Sequence, residues 1–252
     1  MRLSDTHIHL LASEWQEPVA DRIDSARQLG IGLLLQPGVR GLDWPELLAL
    51  AEEYDEVYAA PGLHPMCAED WSHACAAQLR TLSFRAKVIA IGEIGLDALV
   101  DVDMARQRQA FDAQVRIACE AKLPLLIHCR KCTDAVLNIL QEFGDRLNGG
   151  IWHGFSGSSE TAQQIIKLGF ALGVGPVLLR ENARKLPEAL KDIPDDMLVL
   201  ETDAPDMATE PETLLAVAQR LAVLRGWTEA ECVRLTTTNA NRILKLGEMI
   251  GE

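Results

Sequence analysis

Leu123-Pro124-Leu125-Leu126-Ile127-His128 and Gly149-Gly150-Ile151-Trp152-His153 are short apolar runs, each closed by an imidazole. Apolar runs of this length, bounded by Gly and Pro, read as buried strands, and a helix between two of them gives a βαβ unit with parallel strands. The pattern recurs outward along the chain. Met1-Arg2-Leu3-Ser4-Asp5-Thr6 leads into His7 and His9, and Val57-Tyr58-Ala59-Ala60-Pro61-Gly62-Leu63 leads into His64. Val88-Ile89-Ala90-Ile91-Gly92 leads into Glu93, and Met197-Leu198-Val199-Leu200-Glu201-Thr202 leads into Asp203. Residues 31–36 and 170–175 add two more apolar runs. Between the strands, residues 19–29, 44–54, 104–121 and 158–168 repeat apolar positions at three- and four-residue spacing, as in Phe111, Val115, Ala118 and Cys119. Uninterrupted alternation predicts an α/β chain closed into a TIM-type (β/α)8 barrel, with residues 228–246 as an extra C-terminal helix. Without a low-complexity linker or internal repeat, residues 1–252 are expected to form one domain.

Composition is compatible with that fold. With 48% hydrophobic and 24% charged residues the chain falls among ordinary globular proteins. The polar start at Ser4-Asp5-Thr6-His7 does not resemble a secretory leader, and no apolar run is long enough to span a bilayer. Six cysteines, irregularly spaced, do not make a disulfide scaffold, so a reducing cytoplasm is the expected address. A formal net charge of −13, without a Lys/Arg cluster, argues against a stable complex with nucleic acid. It leaves a phosphate substrate open, because bound cations attract phosphate locally.

The residue types at the strand ends point to metal-dependent hydrolysis. His7 and His9 share one side of an extended backbone and suit chelation, although a solvent-facing strand also accommodates such a pair. Glu93 closes an apolar strand, so it needs either a salt-bridge partner or cations to bridge. His128 and His153, at matching strand ends, read as ligands rather than as core histidines bonded to carbonyls. Asp203 can bind metal and accept a proton from an attacking water, and Glu201 should face the same side, deeper in the barrel. Asp97 can orient a ligand or a neighbouring Arg. Arg130 is either a bidentate phosphate clamp or one half of a structural ion pair. Cys129-Arg130-Lys131-Cys132 has redox spacing but reads as packing, because no second pair supports a zinc site. Gly173-Val174-Gly175-Pro176 suits either phosphate approach or a tight turn. Trp152 runs out of phase with His153 and is expected to pack between barrel and helix, and His73 is expected on the surface.

Taken together, Asp5-Thr6-His7-Ile8-His9-Leu10, Gly62-Leu63-His64-Pro65, Ala90-Ile91-Gly92-Glu93-Ile94-Gly95-Leu96-Asp97, the segment from Leu123 to Arg130, His153-Gly154-Phe155-Ser156-Gly157-Ser158 and Leu200-Glu201-Thr202-Asp203-Ala204-Pro205 resemble the TatD family of metal-dependent hydrolases, within the amidohydrolase group. The resemblance spans nearly the whole chain. It implies that His7, His9 and Asp203 hold one divalent cation, and that Glu93 bridges to a second held by His128 and His153. It also implies that His64 contacts substrate or a metal-bound ligand, and that the activity is that of a deoxyribonuclease, 3′ exonucleases included. Nitrogen-rich ligation with carboxylates suits zinc or manganese better than an all-oxygen magnesium site, with magnesium the remaining alternative.

The chain departs from the family pattern near the substrate. Asp206-Met207-Ala208-Thr209-Glu210-Pro211 stands where many relatives carry an aromatic residue and a longer basic loop, and Ala98-Leu99 replaces another aromatic. Expected substrates are therefore DNA ends or small phosphodiesters. A hydrolase of another ester or amide, small or tRNA-linked, is the alternative. An inactive binding scaffold would lack ligands, and none is missing. Oligomeric state is left open.

Overall fold

The computed structural model describes residues 2–208 and 210–246. Met1 of the first strand reading, Thr209 of the loop after Asp203 and positions 247–252 lie outside the described residues. The strands are β1 (Leu3–Asp5), β2 (Ile31–Pro37), β3 (Val57–Ala60), β4 (Ile91–Asp97), β5 (Leu125–Arg130), β6 (Gly150–Trp152), β7 (Phe170–Val174) and β8 (Leu198–Leu200). Helices α1 (Val19–Gln28), α2 (Trp44–Glu53), α3 (His73–Leu82), α4 (Met104–Ala121), α5 (Thr133–Phe143), α6 (Ser159–Lys167), α7 (Lys185–Asp192) and α8 (Thr213–Arg225) alternate with them, and α9 (Glu229–Ile243) is the extra C-terminal helix. The arrangement is the TIM-type (β/α)8 order anticipated from the sequence.

All strand pairs are parallel, and their ladders form two arcs, β1-β2-β3 and β4-β5-β6-β7-β8. Isolated parallel bridges join the arcs at two seams, Ala59 with Val88 and Ile8 with Ala204. At the first seam Ala59 N donates to Lys87 O and Ile89 N donates to Ala59 O. At the second, Thr6 N donates to Leu200 O and Asp203 N to His7 O. Gly62 and Gly92 pack backbone to backbone beside the first seam, since a Cβ on Gly62 would lie 2.5 Å from Gly92 C.

Alternation sorts the side chains into two layers. Leu33, Leu35, Ala60, Ile89, Leu126, Ile151, Ala171 and Val199 form the inner cluster, which Ala240, Ile243, Leu244 and Leu246 of the C-terminal stretch extend. Leu34, Ile127, Trp152, Leu172 and Leu200 face outward, packing with helix residues such as Ile23, Phe111, Val115 and Leu140. Trp152 thus sits in the barrel-to-helix layer, and His73 is exposed at the start of α3. The parity that carries Leu126, Ile151 and Val199 into the core carries His128, His153 and Asp203 to the barrel's C-terminal mouth.

Helix ends follow local chemistry. Asp103 caps α4 by accepting from Ala105 N and Arg106 N, while Ser158 and Thr228 cap α6 and α9. Asn239 on α9 donates to the carbonyls of Asp195 and Leu198, and Thr237 donates to Arg2 O. These bonds fix α9 across the N-terminal ends of β1 and β8. No helix among the described residues is long and apolar enough to cross a membrane.

Candidate active site

Glu93 lies at the centre of the mouth. It is the third residue of β4 rather than the residue after it, because the strand begins at Ile91, where its register against β5 shifts. His128 likewise lies inside β5 and His153 just past β6, whereas His7, His9, His64 and Asp203 stand on the loops that follow β1, β3 and β8. All seven of these groups are buried, none more than 8% exposed.

The two oxygens of Glu93 divide the histidines. Oε2 lies 3.3 Å from His7 Nε2 and 3.8 Å from His9 Nε2. Those two nitrogens are 3.1 Å apart, and each is 3.5 Å from Asp203 Oδ1. Oε1 lies 2.5 Å from His128 Nδ1, 3.7 Å from His153 Nε2 and 3.9 Å from His64 Nε2. Asp203 Oδ2 is 3.6 Å from His153 Nε2, so this carboxylate also spans both sets. Four donors at ~2.1 Å around a tetrahedral cation are roughly 3.4 Å from one another. The His7 and His9 nitrogens have about that spacing from each other, from Glu93 Oε2 and from Asp203 Oδ1, and the donor chemistry fits a borderline-soft divalent ion. His64, Glu93 and His128 form a second grouping able to hold one.

Buried carboxylates stand behind two of the histidines. His128 Nε2 is 3.1 Å from Asp97 Oδ2. His153 Nδ1 is 3.1 Å from Glu201 Oε1, though off the line of a hydrogen bond, and the same oxygen accepts from Gly154 N at 2.6 Å. Such partners hold an imidazole's far nitrogen and aim the near one. Glu201 also explains the glycine of β7: a Cβ on Gly173 would sit 2.1 Å from Glu201 Oε2. Gly173 makes room for a buried carboxylate, which neither sequence reading of that segment anticipated.

Electrostatics follow from the crowding. Burial alone would raise the Glu93 carboxyl, but His7, His128 and His153 outweigh it and hold it well below the usual carboxylate range. Burial opposes charge on His153 too, yet Glu201, Asp203 and Glu93 carry its pKa up to about 10. His64 goes the other way, down to about 4, because burial outweighs the pull of Glu93. Asp203 is held low by His153, His9 and His7 against its burial. The carboxylates at the mouth are thus matched by imidazoles whose ring nitrogens converge on the same oxygens.

Sequence reasoning assigned no role to Asp5. Its carboxylate is fully buried and accepts from His7 N at 3.2 Å, Thr202 N at 3.0 Å and Thr202 Oγ1 at 2.6 Å. It therefore fixes the backbone on both sides of the second seam, next to His7 and Asp203. Its parity, shared with His7 and His9, was the available signal. Arg130 reaches the rim half-exposed, with Nη1 3.9 Å from Asp97 Oδ2, too loose a pairing to hold it from an incoming anion. Cys129 and Cys132 are free thiols, and burial pushes the Cys129 thiol up to about 11, in keeping with packing rather than redox chemistry.

The chain matches known proteins over nearly its whole length. The sequence profile of the family described as TatD related DNase matches residues 4–245. The metal-dependent hydrolase YabD of Bacillus subtilis is 36% identical, over 97% of this chain and 99% of its own. The 3′-5′ ssDNA/RNA exonuclease TatD of Erwinia tasmaniensis is 31% identical, over 96% and 99% respectively. The crystal structure of YjjV, a TatD homologue from Escherichia coli K12, superposes with a TM-score of 0.90 at 33% identity, covering 96% of this chain and 97% of that one.

Proposed function

The chain belongs to the TatD-related DNase family of metal-dependent hydrolases, and from that premise we propose a phosphodiesterase that cleaves DNA ends or short oligonucleotides. The observation that supports this reading best is the division of Glu93, with Oε2 toward His7 and His9 and Oε1 toward His128, His153 and His64. In this reading His7, His9 and Asp203 would hold one divalent cation, His128 and His153 would hold a second, and Glu93 would serve both. Zinc or manganese suits the donors better than magnesium. Ions held there supply Lewis acidity, acidifying water and neutralising charge on the phosphoryl oxygens.

The chain's own residues do the rest. Asp203, ionised and turned toward the histidine pair, accepts the proton of the attacking water. Arg130 approaches the phosphate from the rim, where a guanidinium can meet two oxygens at once. His64, kept neutral by burial, offers Nε2 as a hydrogen-bond partner to substrate while its Nδ1 accepts from Met66 N. Asp97 and Glu201 aim the imidazoles of His128 and His153. Residues 1–252 act as a single domain around this one site, and a cytoplasmic address fits the free cysteines.

The deciding experiment is hydrolysis of short single-stranded DNA and of a generic phosphodiester, after chelation and after restoring Mg²⁺, Mn²⁺ or Zn²⁺. Cleavage should return with metal and be abolished by Glu93→Ala and by Asp203→Asn. Metal binding with neither phosphodiester cut would reject the nuclease reading in favour of another ester or amide.

A further inference from the structure

The two sides of the mouth differ in the charge that stands next to the site residues. Residues 9–18 and 203–212, the stretches that follow β1 and β8, hold no Lys or Arg and six acidic residues: Glu14, Glu17, Asp203, Asp206, Glu210 and Glu212. Asp206 comes closest to the chemistry. The chain turns directly after Asp203, with Met207 N donating to Asp203 O at 2.8 Å. That turn sets a carboxylate oxygen of Asp206 with His9 and Asp203, in a group whose ligand-type atoms all lie within 4.8 Å of one another. Across the mouth, the loops after β3 and β4 and the end of β5 present Met66, Leu99 and Arg130. Met66 and Leu99 are 49% and 57% exposed, and each is tethered to a site residue: Met66 N to His64 Nδ1, Leu99 N to Asp97 Oδ1. The loops after β3 and β4 carry acidic residues of their own, Glu69, Asp70, Asp101 and Asp103, so the contrast lies in the charge that meets the site residues: Arg130 on this side, 3.9 Å from Asp97 and beside apolar surface, and the Asp206 carboxylate on the other.

We propose that Asp206 sets the size of the substrate, admitting a phosphodiester with a single phosphate and repelling chains whose next phosphate falls on the β8 side. This rests on the phosphodiesterase reading and narrows it to dinucleotide-sized or end-on substrates. A nucleic-acid strand carries a charge at every nucleotide, about one per 3.4 Å of duplex axis. A strand threaded across the mouth cannot place one phosphate beside Glu93 without bringing another toward Asp206. A single phosphate can approach from the Arg130 side with its sugar and base against Leu99 and Met66. The repulsion between unit charges a few ångströms apart near a surface is enough for about a tenfold change in affinity, and salt screens it.

The test compares the metal-loaded wild type with Asp206→Asn, which preserves shape and removes charge. Affinity for a fluorescent ten-nucleotide single strand and for a fluorescent dinucleoside monophosphate is read by anisotropy at low and at raised salt. Bound metal is measured in parallel. The expected result is about tenfold tighter binding of the ten-nucleotide strand by the variant at low salt, a difference that shrinks as salt is raised. The dinucleoside monophosphate should move less than about twofold, and metal content should not change. Equal shifts for both ligands, no shift for the longer strand, or loss of bound metal would each overturn the proposal. Because binding is measured apart from cleavage, a protein that cuts neither ligand rejects the nuclease reading, while the affinity ratio still judges Asp206.

Discussion

A methyl group added at position 173 would meet Glu201 Oε2 at 2.1 Å, in a strand whose neighbours are all buried. Gly173→Ala must therefore displace Glu201 from Gly154 N and from His153. The expected cost is about 1–3 kcal/mol of stability by overpacking, seen in chemical denaturation, with metal affinity about 10–100-fold weaker through the disturbed imidazole partner, seen in a metal titration. Unchanged metal affinity would mean that Glu201 does not orient His153. Thr202→Val tests the seam in the same way. It removes the hydroxyl that Asp5 Oδ2 accepts from, leaving a buried acceptor short of a partner at about 1–3 kcal/mol. These two carboxylates also mark where sequence reading ends at this scale: parity with His7 and with Asp203 gives the side each faces, but not its partners. His7, His9, His64, Glu93, His128, His153 and Asp203 are legible because each is a polar residue closing an apolar run. The task of Asp5 is set by Thr202, 197 positions away, and the room for Glu201 is set by a glycine on another strand. Neither relation leaves a local pattern.

Among the elements, the helices read from apolar periodicity, residues 19–29, 44–54, 104–121, 158–168 and 228–246, agree with α1, α2, α4, α6 and α9 to within about three residues at each end. Residues 104–121 were expected and α4 is Met104–Ala121, with Asp103 as its cap. Strand ends were less legible. The run 88–91 is as apolar as any strand, but Val88 only bridges Ala59 across the seam, and the ladder with β5 runs from Ile91 through Asp97. A periodic signal marks where a strand is buried, and only its hydrogen-bonding partner marks where its ladder starts. The fixing of α9 yields a prediction at this scale. Asn239 is its main polar anchor, satisfying the carbonyls of Asp195 and Leu198. Asn239→Ala should cost about 1–3 kcal/mol by stranding those groups, measured by urea denaturation. Metal affinity and activity should be unchanged, because α9 covers the end of the barrel opposite the mouth.

For the whole molecule, the mouth places five imidazoles and two carboxylates within reach of one another, none more than 8% exposed, inside a chain whose formal charge is −13. Burying such groups is costly unless each is paired, and paired protons and carboxylates recover only part of that cost. A cation that binds only the folded chain shifts the folding equilibrium by mass action, about 2.7 kcal/mol when its concentration is 100 times its Kd. For a protein of this size each kcal/mol moves Tm by about 2–4 °C, so chelation should lower Tm by roughly 5–10 °C and restored Zn²⁺ or Mn²⁺ should return it. Scanning calorimetry with and without EDTA measures this directly. Glu93→Gln supplies the control: it keeps the shape but removes the charge that faces both histidine sets, so its Tm should no longer respond to metal. If the wild type melts at the same temperature with and without chelator, the mouth holds no resident ion and the two-cation reading of Glu93 fails. If Glu93→Gln responds to metal as the wild type does, the ion binds elsewhere, and the converging donors at the mouth are an ion-pair network rather than a metal site.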